Sequence, residues 1–251
     1  MAALTPAHRE ALDLAVDFLS RLPEVDAVLL VGSWARGVAH AESDVDLAVL
    51  ASAPVEAAWE RSEERRRAEA LLQPLTRWST IEVDSFARDP HPEPRGWTSG
   101  PDDFELRIGN WIAYAEPLWE RGGAFRQLRD RWLPYYDDEL RTRRLTDVVM
   151  YCRNDLDHIP WSLDRGDRFH AFDRLYHALL EFVQALFIAR RVYPIAYDKW
   201  LEQQLRDLLG LPDVATRLAG ALAIDRVREG AVVVESLLDE YVRPESPSPA
   251  A

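Results

Sequence analysis

The chain has 251 residues, 47% of them hydrophobic and 29% charged, a composition that supports a sizeable folded core and excludes a disordered chain. Its formal net charge of −13 points away from bulk nucleic acid, whose phosphates need a basic surface. A single cysteine, Cys152, excludes an internal disulfide and a cysteine-based metal cluster. No stretch approaches the roughly 20 apolar residues of a membrane span, and the N-terminus lacks the basic and apolar regions of a signal peptide. A cytoplasmic protein without a membrane partner is expected.

In chain order, Thr5-Pro6 supplies an N-cap and a proline for the first helical position. Ala11, Leu14, Ala15, Phe18, Leu19 and Leu22 then recur at helical spacing, until Pro23 ends the pattern. Two short β-prone runs follow, Ala27-Val28-Leu29-Leu30-Val31 and Leu47-Ala48-Val49-Leu50, and both read as buried strands. Between them lie Gly32-Ser33-Trp34-Ala35-Arg36-Gly37, a polar connection, and Ser43-Asp44-Val45-Asp46-Leu47. Strand side chains alternate, so Asp44 and Asp46 share a face. Paired carboxylates raise each other's pKa unless a cation lies between them. Mg2+ suits that role because it takes carboxylate oxygens together with phosphate oxygens. The Gly32-Ser33 turn offers backbone N–H groups and a hydroxyl as an anion nest. Turn and acids together make a candidate metal–nucleotide site.

Residues 55–72 predict a helix in which Arg65, Arg66 and Arg67 interleave with Glu60, Glu63, Glu64 and Glu69, the pattern of a solvated face rather than a phosphate patch. A strand follows over 80–86, with Ile81, Val83 and Ser85 on one face and Glu82, Asp84 and Phe86 on the other. One of those two acids is a candidate third carboxylate. Beyond a proline-punctuated loop at 89–94, residues 104–119 read as a helix or a helix–strand pair. Arg121-Gly122-Gly123 marks the boundary between a domain at 1–122 and a helical domain at 123–245, with a disordered tail at 246–251. Within the helical domain, 137–158 and 167–191 are helices, and further helices are expected around 198–210 and 213–242. On 167–191, Phe169, Phe172, Tyr176, Leu179, Leu180, Val183, Leu186 and Phe187 form the expected core stripe, beside a polar face of His170, Arg174, His177 and Glu181. Asp155, Asp157 and His158 read as capping and surface groups.

The run Gly32-Ser33, Ala35-Arg36-Gly37 and Ser43-Asp44-Val45-Asp46-Leu47 resembles the signature of the DNA polymerase β-like nucleotidyltransferase superfamily over about residues 10–90. More loosely, Arg165-Gly166-Asp167, the 169–191 helix, Tyr193-Pro194 and Asp198-Lys199-Trp200-Leu201 resemble the helical domain of small-molecule members such as aminoglycoside adenylyltransferases. The resemblance implies an α+β fold: a nucleotidyltransferase domain with a mixed sheet flanked by helices, then an all-α bundle. It implies ATP or another NTP as co-substrate and one or two Mg2+ ions held by Asp44, Asp46 and a third carboxylate, with Asp84 favoured over Glu82. Gly32, Ser33 and Arg36 would hold phosphates, and Lys199 would reach the triphosphate. The implied reaction moves an NMP, AMP first among them, to a hydroxyl of a small, cationic, aminoglycoside-like acceptor. A macromolecular acceptor (a toxin protein or RNA) and a nucleotide-binding pseudoenzyme acting through a partner are the alternatives.

Overall fold

The structure, a computed structural model, describes residues 4–40, 42–75, 80–87, 91–92 and 100–242. The expected tail at 246–251, Trp78, Trp97 and most of the proline loop lie outside the described residues. In chain order the elements are α1 (Pro6–Ser20), β1 (Val25–Leu30), α2 (Gly32–Ala35), β2 (Val45–Ala51), α3 (Glu56–Glu60), α4 (Glu63–Leu72) and β3 (Ile81–Phe86). Then come α5 (Phe104–Ile108), a π-helical turn (Gly109–Ala113), β4 (Glu116–Glu120), α6 (Ala124–Trp132), α7 (Asp138–Asp164) and α8 (Arg168–Arg190). The chain continues through α9 (Leu201–Gln203), a second π turn (Gln204–Leu208), α10 (Pro212–Ala221) and α11 (Val227–Tyr241). The expected α+β class is observed, and among the described residues no helix is long and apolar enough to cross a membrane.

The chain divides into two units, one of residues 1–92 with 107–133 and the other of residues 93–106 with 134–251. The first unit holds a four-stranded mixed sheet in the order β3-β2-β1-β4, with β2 and β3 parallel and the other pairs antiparallel. Parallel strands cannot be joined by a tight turn, so the β2–β3 crossover runs through α3 and α4. The helix expected over 55–72 is broken there. The Ser62 hydroxyl donates to the Trp59 carbonyl at 2.7 Å and accepts from the Arg65 N–H at 3.0 Å, ending α3 and capping α4. Val28, Leu30, Val45, Leu47, Val49, Ile81 and Val83 point to one face and pack with Ala11, Ala15 and Leu19 of α1 and Trp59, Ala68 and Leu72 of α3 and α4. That packing leaves the alternating residues Asp46, Ala48, Glu82 and Asp84 on the opposite face. The division falls after Leu133 rather than after Gly122. Gly122 and Gly123, with φ of 60° and 75°, turn the chain from β4 into α6, whose Phe125, Leu128 and Trp132 are buried within the first unit.

In the second unit α7 and α8 form the longest helical pair and share a core that α10 and α11 also enter. α7 continues past the expected end at 158, with Pro160 inside its last turns. The helix expected over 213–242 is two, α10 and α11. α8 also departs from a single apolar stripe. Phe169 is 80% exposed and Tyr176 36%, whereas Glu181, expected on a polar face, is fully buried. Arg174 is ion-paired with Asp155 of α7, so this position of the polar face meets α7 while His170 stays exposed, and Asp155 is an interior group rather than a cap. A helix packed on several sides buries small and polar positions that a one-sided pattern assigns to water. Cys152 is buried against the Ala178 carbonyl, and burial pushes its thiol pKa up, as expected of an inert thiol.

The polar centre of this unit is Glu105 of α5, with no exposed surface. Arg144 pairs with both its oxygens, the Tyr136 hydroxyl donates to it at 2.7 Å, Gln184 Nε2 at 2.8 Å and the Tyr197 hydroxyl at 3.4 Å. Arg144 also donates to Asp102 at 2.7 Å and lies 4.5 Å over the Phe104 ring. A buried carboxylate is tolerated when its lone pairs are met in this way, and breaking one side strands the other charge. Glu105→Gln is expected to lower unfolding free energy by about 3 kcal/mol. A denaturant midpoint equal to that of the parent protein would refute that role.

Candidate active site

β1 ends at Leu30, two residues before Gly32, where the chain turns with φ of +65°. A Cβ at this position would lie 2.0 Å from Oδ2 of Asp46. Glycine is therefore required twice over, by the left-handed backbone and by the carboxylate that occupies the side-chain space. The Val31 N–H donates to the Asp46 carbonyl at 3.0 Å, binding the turn to β2. α2 is one helical turn, with the Gly37 N–H on the Trp34 carbonyl at 3.0 Å, and the Gly37 φ of +67° brings the following Val38 N–H to the Ser33 carbonyl at 3.0 Å. Arg36 folds back over the turn and donates Nε to the Gly32 carbonyl at 3.1 Å. Ser33 is half-buried in the same turn.

β2 begins at Val45, so Asp44 stands just ahead of the strand and Asp46 on it. The parallel ladder pairs Asp46 with Glu82 and Ala48 with Asp84. Neighbouring strands lie about 5 Å apart, so Glu82 is the lateral neighbour of Asp46. Asp84 lies two residues further along, away from Asp44. Asp44 and Asp46 are half-buried, Glu82 and Asp84 exposed. Burial, followed by the charges of Glu82, Asp44 and Asp84, pushes the Asp46 pKa up to about 6, with Arg36 opposing. The neighbouring charge of largest effect on Asp46 is thus Glu82. Burial lowers the Arg36 pKa while Asp46 and Tyr114 raise it.

The donor set suits a hard divalent cation: carboxylates crowded on one sheet face, with one of them held partly protonated near neutrality. Among the described residues no group of three or more His, Cys, Asp or Glu side chains forms a ready metal cage. Mg2+ needs none, because it binds through one or two carboxylates and completes its shell with water and substrate phosphate.

Gly32, Ser33, Arg36, Asp44, Asp46, Glu82 and Asp84 come together in the first unit. Lys199 belongs to the second unit, exposed, with its backbone carbonyl accepting from Gln204 Nε2 at 2.9 Å; its expected role at the triphosphate rests on the resemblance. A residue without a sequence signal is Tyr114. It follows the π turn at Gly109–Ala113, and burial raises its pKa while the Arg36 charge lowers it, so its phenol lies within electrostatic reach of Arg36.

Residues 12–91 match the nucleotidyltransferase domain family, and residues 114–201 match a domain of unknown function, DUF4037. No curated protein matches the chain. Among solved structures, a nucleotidyltransferase-like protein from Exiguobacterium sibiricum 255-15 is similar at 14% identity, over 92% of this chain and 74% of that one, with a TM-score of 0.48.

Two outcomes follow from this geometry. Gly32→Ala is expected to lower unfolding free energy by about 1–3 kcal/mol, because alanine is strained at this φ and displaces the Asp46 carboxylate. Parental stability in urea titration would contradict the close approach. The raised pKa of Asp46 means that the folded chain binds its proton more tightly than the unfolded chain. Stability from this group is therefore full below pH about 4, the ordinary aspartate range, and is lost as pH rises through about 6. Asp46→Asn should match the parent at pH about 4 and exceed it by about 2 kcal/mol at pH about 8 in metal-free buffer. Equal stability at both pH values would remove the repulsion from the account.

Proposed function

We propose that this chain transfers a nucleoside monophosphate, AMP from ATP in the leading case, to a hydroxyl of a small cationic acceptor of aminoglycoside type. The observation that carries the proposal is the Asp46–Glu82 register across β2 and β3, with Asp44 and the Gly32-Ser33 turn beside it. The similarity of residues 12–91 to a nucleotidyltransferase domain supports NMP transfer in general. The acceptor class draws support from the net charge of −13, which favours a cationic partner, and a nucleotide co-substrate fits a cytoplasmic setting.

Asp44 and Asp46 would hold Mg2+, with Glu82, and Asp84 next to it, as the further carboxylate. The bound cation supplies charge neutralisation at the triphosphate and a lowered pKa for the acceptor hydroxyl. The Ser33 hydroxyl and the backbone N–H groups of the turn orient the phosphates, and Arg36 adds a positive charge beside them. The acceptor oxygen attacks the α-phosphorus in line and forms the new P–O bond. The bond to the β-phosphate bridging oxygen breaks, and pyrophosphate departs with that electron pair. Glu82, lateral neighbour of Asp46 in the ladder, would accept the hydroxyl proton as general base, a role worth about 10²–10⁴ in rate.

Incubation with ATP labelled at the α-phosphate, Mg2+ and a panel of aminoglycosides should yield a labelled small molecule and unlabelled pyrophosphate. Glu82→Gln should slow that transfer by about 10²-fold or more, while Asp84→Asn has the smaller effect. Label on a co-purifying protein or RNA would move the acceptor to a macromolecule. Tight Mg-ATP binding without label transfer to any acceptor would overturn the transferase reading.

A further inference from the structure

The two aspartates of the candidate site are held by different means. Asp46 lies inside β2, where flanking residues pair with β3 (Val45 with Ile81, Leu47 with Val83) and its carbonyl takes the Val31 N–H at 3.0 Å. Asp44 lies one residue ahead of the strand. The ladder closes with the Val45 N–H donating to the Thr80 carbonyl at 3.0 Å, and the Asp44 carboxylate receives a longer bond from the Thr80 N–H at 3.4 Å. Its position therefore depends on the connection that arrives from α2.

That connection is staked at Ser43, the residue directly before Asp44. The Trp34 indole N–H donates to the Ser43 carbonyl at 3.3 Å, and the Ser43 hydroxyl accepts from the His40 N–H at 2.9 Å. Trp34 is 7% exposed and packs on the His8 ring with centroids 4.7 Å apart. His8 is fully buried and fixed by the Thr5 hydroxyl at 2.8 Å. Burial lowers the His8 pKa, so the indole rests on a neutral imidazole. Thr5, His8, Trp34 and Ser43 form a continuous path from the capped start of α1 to the peptide that carries Asp44. All four lie in the first unit.

We infer that Trp34 is a positioning residue for Asp44: its indole N–H fixes the Ser43 peptide and thereby the place of the Asp44 carboxylate beside Asp46. This rests on the metal–nucleotide reading of that carboxylate pair. Partners that orient a metal ligand typically change metal affinity by about 10–100-fold when removed. A helix-and-sheet core residue without that task would change stability instead.

The test compares the full-length parent and Trp34→Phe, which keeps an aromatic ring on His8 and removes the donor. Mn2+ affinity is read by electron paramagnetic resonance in the presence of α,β-methylene ATP, metal-free affinity for the same nucleotide by calorimetry, and folding by thermal melting. The expected result is Mn2+ binding weakened about tenfold with metal-free nucleotide affinity unchanged, beside the modest fall in melting temperature that a smaller buried ring brings. Parental Mn2+ affinity in Trp34→Phe, or an equal loss of metal-free nucleotide affinity, overturns the inference. Should Trp34→Phe fail to fold, Trp34→Tyr decides, because it keeps a large aromatic ring against His8 and has no donor at the place of the indole N–H. Weakened Mn2+ binding supports the inference and parental affinity overturns it. A parent that binds no Mn2+ overturns the metal reading and this inference with it, whereas a binding parent with an unaffected Trp34→Phe variant overturns this inference alone.

Discussion

A carboxylate packed against a backbone that carries no side chain sets the geometry of the first unit. Asp46 Oδ2 fills the space that a Cβ on residue 32 would need. From that contact the rest follows: the left-handed turn after β1, the return of Arg36 to the Gly32 carbonyl, and the bond that ties Val31 to β2. The parallel ladder then brings Glu82 to the side of Asp46. Each of these is a local constraint, but together they concentrate negative charge where burial makes it expensive.

That concentration is uphill for the folded chain. Asp46 resists ionisation until pH about 6 because water is partly excluded and three carboxylates surround it. Arg36 offsets part of the repulsion, and its guanidinium is itself partly desolvated. Strongly perturbed carboxylates of this kind cluster at functional sites, and a positive charge placed among them would relieve the repulsion. The tension is the expected conflict between stability and function at such a site.

The second unit solves the opposite electrostatic problem. Glu105 is fully buried, yet Arg144, Tyr136, Gln184 and Tyr197 satisfy both its oxygens, and Asp102 shares the guanidinium. A network satisfied in this way specifies which helices meet. Polar character on α8 is spent likewise, with Arg174 held by Asp155 and Glu181 enclosed in the helical core. Buried acids thus serve architecture in one unit, while half-buried and exposed acids crowd an open sheet face in the other.

Period-two alternation and turn chemistry act over a few residues, so β1, β2, β3 and the glycine turn were legible in the sequence alone. Ser62 carried a cap signal that the long apolar-to-charged run over 55–72 masked. Register is a property of two strands at once, and it took the tertiary structure to set Glu82 rather than Asp84 opposite Asp46. Burial on several sides likewise enclosed Glu181 and left Phe169 in water, against a one-sided helical pattern. Glu105, Tyr114 and the His8–Trp34 contact join residues far apart in the chain, and no local spacing announces such partners. Residue types and spacing along the chain announced the carboxylates and the glycine turn that precedes them. The tertiary structure decided which neighbours surround them, because desolvation and charge proximity depend on three-dimensional distance.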